Sequence, residues 1–180
     1  FLSALRSEGL VAVPSGAFVR RFTHSALNLG QLQSNGSVLR AALYWFHELS
    51  TDGGVRRIPG LTNTNASAPA PGGVWYLFAS RDPNDGGFAT EPRQLFRVEA
   101  DESFSPVAGD VTRTTDSDGP ALTAGVTTMR SLTVSPDGTV SFLGANNRLR
   151  QLRNGQVTTL MTLSDAPHDL VALPDEIGRA

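Results

Sequence analysis

Cysteine and lysine are both absent from this 180-residue chain, and tyrosine, tryptophan and methionine occur only twice each. Without cysteine there is no disulfide framework, no thiolate zinc site and no cysteine nucleophile. Without lysine, all 15 basic residues are arginine. Arginine makes bidentate contacts that lysine does not, but the plainer reading is codon usage, since a GC-rich genome spells arginine easily. Long apolar runs are missing as well: none approaches the roughly 18 residues needed to span a bilayer, so no membrane span is expected. A basic surplus is missing too. The formal net charge is −2, whereas general nucleic-acid binding needs a positive field to displace counterions, so no nucleic-acid partner is expected. The chain opens at Phe1 with no Met, basic n-region or apolar leader. That is the pattern of a mature or trimmed segment, and an extracellular or cell-envelope location is the expectation.

Signatures of common chemistry are also lacking. There is no GxSxG elbow, no SxxK motif and no phosphate loop. The three histidines, His24, His47 and His168, are far apart and form no HxH or HExxH pair, whereas a zinc site needs three or four converging ligands.

What is present is turn chemistry. With 39% apolar residues the chain has enough to fold, and 18 Gly and 11 Pro punctuate it into short runs. Val74-Trp75-Tyr76-Leu77-Phe78 and Thr139-Val140-Ser141-Phe142-Leu143 read as strands. The pairs Asn35-Gly36, Asp52-Gly53, Asp137-Gly138 and Asn154-Gly155 tolerate the positive φ of tight hairpins. The only helix candidate, residues 1–8, is too short to hold alone. The expected fold class is therefore all-β.

Residues 131–160, SLTVSPDGTVSFLGANNRLRQLRNGQVTTL, parse into four strands at 131–135, 139–143, 148–153 and 156–160. Four short antiparallel strands in a meander make one blade of a β-propeller. A similar grammar recurs near 9–43 and, more divergently, near 71–108, and a partial copy begins at 168–180. A hairpin at 43–58 reads as the outer half of a blade whose inner half is not evident. The polar, Pro-rich stretch 61–71 reads as a surface linker or insertion. At about 40–50 residues per blade, the chain supplies about four blades of a single propeller domain, either a closed small ring or part of one that a second chain, a homo-oligomer or further sequence completes.

The run Val107-Ala108-Gly109, Asp116-Ser117-Asp118-Gly119-Pro120-Ala121, Leu132-Thr133-Val134-Ser135-Pro136-Asp137-Gly138 and Asn146-Asn147-Arg148-Leu149-Arg150 resembles bacterial NHL-type β-propeller repeats. The resemblance covers roughly residues 104–163. The chain departs from the family pattern at Ser141-Phe142-Leu143, where an acidic residue often stands before the Asn-Asn turn, and at an insertion over 81–93. The resemblance implies a propeller fold of four-stranded blades.

Two acidic loops invite attention. Asp82-Pro83-Asn84-Asp85-Gly86-Gly87 and Asp116-Ser117-Asp118-Gly119 alternate oxygen-bearing side chains beside glycine. Ordinary turns want these residues, and so does calcium, which takes six to eight oxygens; Asp116 and Asp118 are the candidate Ca2+ ligands, and no other cofactor is expected. The aromatics fall in two clusters, Tyr44-Trp45-Phe46 and Trp75-Tyr76, with Arg56 and Arg57 near the first and Arg81 near the second. Neighbours on a strand face opposite ways, so Trp45 and Trp75 are expected to pack between blades while Tyr44 and Tyr76 face away. Trp, Tyr and Arg are also enriched at binding hot spots. Tyr44, Trp45, Arg56, Arg57, Trp75, Tyr76 and Arg81 are thus the candidate binding residues, and no catalytic residue is assigned.

These features suit a non-enzymatic propeller module that binds a protein or a glycan. Two alternatives stand beside it: a metal-dependent enzyme of the lactonase or lyase kind, with Asn146 or Asn147 as a ligand, or a structural piece of a larger toxin or surface assembly.

Overall fold

A computed structural model gives the fold. It describes residues 59–81, 92–165 and 170 with their side chains, and the backbone of strand residues 7–12, 18–22, 33–34, 38–42, 45–50 and 55–58. In chain order the strands are β1 (Ser7–Ala12), β2 (Phe18–Phe22), β3 (Gln33–Ser34), β4 (Val38–Ala42), β5 (Trp45–Ser50), β6 (Val55–Pro69) and β7 (Trp75–Arg81). They continue as β8 (Gln94–Val98), β9 (Phe104–Ala108), β10 (Gly119–Pro120), β11 (Ser131–Val134), β12 (Val140–Leu143), β13 (Arg148–Arg153) and β14 (Gln156–Thr162).

Residues 131–160 form the up-and-down leaflet that their sequence predicts. β11, β12, β13 and β14 pair antiparallel in chain order, and the two-residue β10 adds to the outer edge. The turns explain the register. Asn154 (φ 50°) and Gly155 (φ 69°) are both left-handed, as a two-residue hairpin between right-twisted strands requires. At the β11–β12 turn Gly138 takes φ 83°, and Asp137 Oδ1 accepts the Thr139 N–H at 3.0 Å. Pairing aligns Val134, Val140, Leu152 and Val157 on one face, with Leu132, Phe142 and Arg150 in the adjoining row.

The preceding leaflet is β6, β7, β8 and β9, again antiparallel in chain order. Ala66, Phe78, Leu95 and Ala108 align across it. These side chains belong to one buried cluster with Leu132, Val140, Phe142, Leu152 and Val157 of the following leaflet. The inner strands β6 and β11 lie side by side, and Asn65 Nδ2 donates to the Met129 carbonyl at 3.0 Å between them. Fully burying a large apolar side chain contributes about 1.5–3 kcal/mol, so the shared core is the main force joining the two leaflets. The opposite face of the β6–β9 leaflet carries a second cluster of Leu61, Trp75, Leu77, Ala79, Phe96 and Val98. Phe104 packs against it, edge-on to Phe96 at 5.8 Å between ring centroids. Two stacked antiparallel leaflets with their inner strands adjacent are the arrangement of a propeller, here a partial one with open sheets.

The first half departs from expectation in three places. Residues 61–71 are not a surface linker: 61–69 lie inside β6, with Leu61, Thr62, Ala66 and Ala68 buried. The segment reads as polar and small because it is the inner strand, where Ala66 and Ala68 allow the next leaflet to approach. β6 serves two leaflets, pairing with β5 through 55–57 and with β7 through 61–69, and Thr62 is in register with both. The handover falls at Gly60 (φ 84°), where a Cβ would sit 2.7 Å from the Phe104 ring. Second, the unit near 9–43 is divided: β1 and β2 form their own two-stranded sheet, while β3 and β4 join β5. Third, the hairpin read at 43–58 finds its inner half in those same strands, β3 and β4. The partial copy at 168–180 lies almost wholly outside the described residues; Leu170 N–H donates to Ser131 Oγ at 3.1 Å, beside the inner strand of the last leaflet.

Candidate functional site

The connection from β9 to β11 is where chemistry gathers. It is clamped at both ends: Gly109 N–H donates to Ala121 O at 2.9 Å, Asp110 N–H to Ala124 O at 2.9 Å, and Ala121 N–H to Gly155 O at 2.8 Å. Its Ala121, Ala124, Val126 and Met129 side chains cap the shared core.

Asp116 and Asp118, the candidate calcium ligands, do come together, but around an internal guanidinium. Arg150 projects from β13 with 0% of its side chain exposed. Its Nη1 donates to Gly125 O at 2.8 Å, and its Nη2 donates to Ser117 O at 2.7 Å and Asp118 Oδ1 at 3.1 Å. Nη1 also lies 3.6 Å from Asp116 Oδ2, an ion pair with a carboxylate only 4% exposed. Arg150 further sits over the Phe142 ring at 5.5 Å, a favourable cation–π placement. The other Asp116 oxygen accepts the Thr127 N–H and hydroxyl at 2.9 and 2.8 Å. Burial pushes the Asp118 carboxyl up, but the Thr159 N–H and hydroxyl together with Arg150 outweigh it and hold its pKa below the ordinary value.

In this structure Asp116 and Asp118 share an ion-pair network, and the charge that these carboxylates meet is a guanidinium of the chain itself. Among the described residues, no three of His, Asp and Glu gather where they could hold a metal ion. Asn146 and Asn147, the possible lactonase-like ligands, form the left-handed turn between β12 and β13 (φ 55° and 57°), and Asn147 Oδ1 accepts from Arg130 at 3.3 Å.

Two glycines make the network possible. A Cβ on Gly125 would fall 1.9 Å from Thr115 O, so only glycine lets 115–117 lie against 125. A Cβ on Gly144 would meet Asp116 Oδ2 at 3.1 Å and Arg150 Cδ at 3.3 Å.

The second feature is an open groove of about 710 Å³ between the two leaflets. The β6–β9 leaflet supplies Tyr76, Arg97, Pro106 and Val107 as one wall. Opposite stand the 137–139 turn, Leu152, Arg153 and the Asn154-Gly155 turn, and Pro120, Ala121 and Leu122 close one side. Leu122 is 56% exposed. It is held on a rigid turn in which Thr123 N–H and Ala124 N–H both donate to Pro120 O at 2.9 Å. Each rim arginine has an exposed acidic neighbour: Arg97 Nε is 3.1 Å from Glu99 Oε1, and Arg153 Nη2 is 3.4 Å from Asp137 Oδ2. The Thr139 N–H and hydroxyl, with Arg153, keep the Asp137 pKa below the ordinary value.

The candidate binding residues from sequence are distributed unequally. Tyr76 lines the groove. Trp75 is buried on the opposite face of the same strand, as strand alternation requires, and packs with Leu77 and Phe96. Arg81 is exposed at the far end of β7, about 17 Å from Tyr76 at the rise of an extended chain. The backbone of Trp45, on β5, pairs with Thr62, while Arg56 and Arg57, on β6, pair with Glu48 and His47. Tyr44 and the 82–87 loop lie outside the described residues. Sequence reading missed Arg97, Leu122 and Arg153, which converge from three separate segments and share no local spacing.

No family model matches this chain, and no curated protein does. Solved structures do resemble it. One, a structural genomics protein of unknown function from Bacteroides thetaiotaomicron, is 14% identical, with a TM-score of 0.40; the match covers 78% of this chain and 49% of that one. Another, described as a "putative gluconolactonase", is also 14% identical, with a TM-score of 0.49, and the match covers 86% of this chain and 57% of that one. The chain therefore spans about half the length of these neighbours. Likenesses at this level carry no argument about activity, and the architecture stands on the leaflets themselves.

Proposed function

We propose that this chain is a propeller-type binding module, non-enzymatic, which holds a partner in the groove between its β6–β9 and β11–β14 leaflets. The groove is the observation that carries this reading. Its volume of about 710 Å³ falls in the range of ligand-binding clefts, which combine an apolar lining with a few placed polar groups. Tyr76 and two arginines supply the residue types that dominate binding hot spots. Leu122 is presented to solvent by a turn that loses little entropy on binding. The motifs over 104–163 support reading the β11–β14 leaflet, with the connection before it, as an NHL-type repeat within the same proposal. The lactonase-like alternative gains nothing from the site, because its candidate oxygen ligands are engaged in turns and in the Arg150 network.

Probing peptide and glycan arrays with the whole chain and with Leu122→Asp tests the reading. Binding to a subset of one array, lost in the variant while its thermal unfolding is unchanged, is the expected result. Binding indifferent to Leu122, or metal-dependent turnover of a lactone, would overturn it.

A further inference from the structure

We infer that one ordered water molecule is bound inside the ion-pair network of the last leaflet, accepting from Arg150 Nε and donating to Asp116 Oδ2. The inference stands independently of what the groove binds.

Two charged groups of the network are left incomplete by the protein itself. Among the described residues, Asp116 Oδ2 and Arg150 Nε are buried polar atoms without a hydrogen-bond partner. Neither side chain reaches the surface: Arg150 is 0% exposed and Asp116 4%. A buried group with a bond unmade carries its full desolvation penalty, and a charged one more than a neutral one. Nor can the two close on each other. Asp116 Oδ1 is held by the Thr127 N–H and hydroxyl, and the guanidinium is held by the Gly125 and Ser117 carbonyls and by Asp118. With both ends pinned, Nη1 stays 3.6 Å from Oδ2, too far for a direct hydrogen bond and a separation at which polar groups are joined through water. Nε shares the rigid plane of Nη1.

Chemistry selects the ligand. The site offers one N–H and one carboxylate oxygen. A metal ion would suit the oxygen but meet the positive guanidinium, and an anion would suit Nε but meet the carboxylate. Water accepts from the one and donates to the other. Its second proton has an acceptor in the Thr128 carbonyl, 3.7 Å from the point that a Gly144 Cβ would occupy, which completes the roughly three bonds usual for a buried water.

Gly144 fits the same account. Its backbone is extended, φ −90° and ψ −166°, a conformation open to any residue, so conformation does not call for glycine. Space does: a Cβ there would stand 3.1 Å from Asp116 Oδ2 and 3.3 Å from Arg150 Cδ, against the same two side chains that the water joins.

Two measurements on the whole chain test this. In crystals diffracting far enough to show individual waters, one water peak is expected within about 2.6–3.2 Å of both Asp116 Oδ2 and Arg150 Nε. In solution, with isotope-labelled arginine, the Arg150 Nε–H should give a nuclear Overhauser cross-peak to water. Gly144→Ala should abolish both signals. An alanine that displaced nothing would be mildly stabilising at this backbone, whereas loss of the water should lower the urea midpoint by roughly 0.5–1.5 M. A direct hydrogen bond between Nε and Oδ2, or no peak beside either atom, would overturn the inference. So would a peak about 2.3–2.6 Å from Oδ2 with six or more oxygens around it, which is a metal ion. If Gly144→Ala does not fold, the peak and cross-peak of the parent decide.

Discussion

Replacing Arg150 with methionine is expected to loosen the 109–130 connection from the last leaflet. Methionine fills much of the aliphatic volume, so the loss is chiefly electrostatic. The Ser117 carbonyl loses the guanidinium that donates to it at 2.7 Å, and the Gly125 carbonyl loses the one at 2.8 Å while keeping the Ser117 N–H at 3.1 Å. Asp116, with its side chain 4% exposed, keeps its Thr127 bonds but faces no cation. Removing one partner of a buried pair typically costs about 3–5 kcal/mol, a large share of the ~5–15 kcal/mol by which a domain is stable. With a urea m-value of about 2 kcal/mol/M, the unfolding midpoint should fall by on the order of 2 M. Adding Asp116→Asn should recover part of the loss, because the amide oxygen still accepts from Thr127 while the stranded charge is gone. Arg150→Lys should land between, since one nitrogen cannot reach two carbonyls and a carboxylate at once. A midpoint shift below about 0.5 M for Arg150→Met, or no recovery in the double variant, would refute the reasoning.

Acid should erode the same network. The Asp118 pKa lies below the ordinary 3.8 when folded, so its contribution is fully present above that value and is lost as pH falls through the lowered native value. Urea midpoints at pH 5 and pH 3 should differ less in Asp118→Asn than in the parent, and the effect should be small because the Asp118 side chain is 45% exposed. Gly125→Ala places a Cβ 1.9 Å from the Thr115 carbonyl oxygen; it should destabilise by several kcal/mol, about 3 or more, measured as a fall in thermal midpoint. Phe142→Ala removes a fully buried ring from the shared core and should cost about 3–5 kcal/mol. Leu122→Ser, at an exposed turn, should stay within about 0.5 kcal/mol by urea unfolding.

The last leaflet was legible because each of its turns carries its own chemistry. Asp137-Gly138 and Asn154-Gly155 mark the hairpins, and apolar alternation such as Val140 and Phe142 fixes which residues face the core. β6 was not legible. An inner strand paired on one side and pressed against a neighbouring leaflet on the other favours small side chains, so Ala66 and Ala68 amid Thr and Asn look like a linker. Trp75 and Tyr76 do face opposite ways, since alternation is a local property, but it is Tyr76, expected to face away, that packs against the core shared with the next leaflet, while Trp75 lies in the cluster on the other face. Arg150 and Asp116 are 34 positions apart and meet only after the connection folds back; their spacing gives no sign of pairing, and the two aspartates alone look like a cation loop. The groove was hidden for the same reason, since Arg97, Leu122 and Arg153 belong to three elements brought together by leaflet packing.

That packing is the claim on which the rest depends, and nuclear Overhauser contacts between side chains of the two leaflets test it most directly. With methyl and aromatic groups of Phe78, Leu95, Leu132, Val140 and Phe142 assigned, cross-peaks are expected between the β6–β9 members and the β11–β14 members, as one buried cluster requires. Cross-peaks confined within each leaflet, with none between them, would contradict the account.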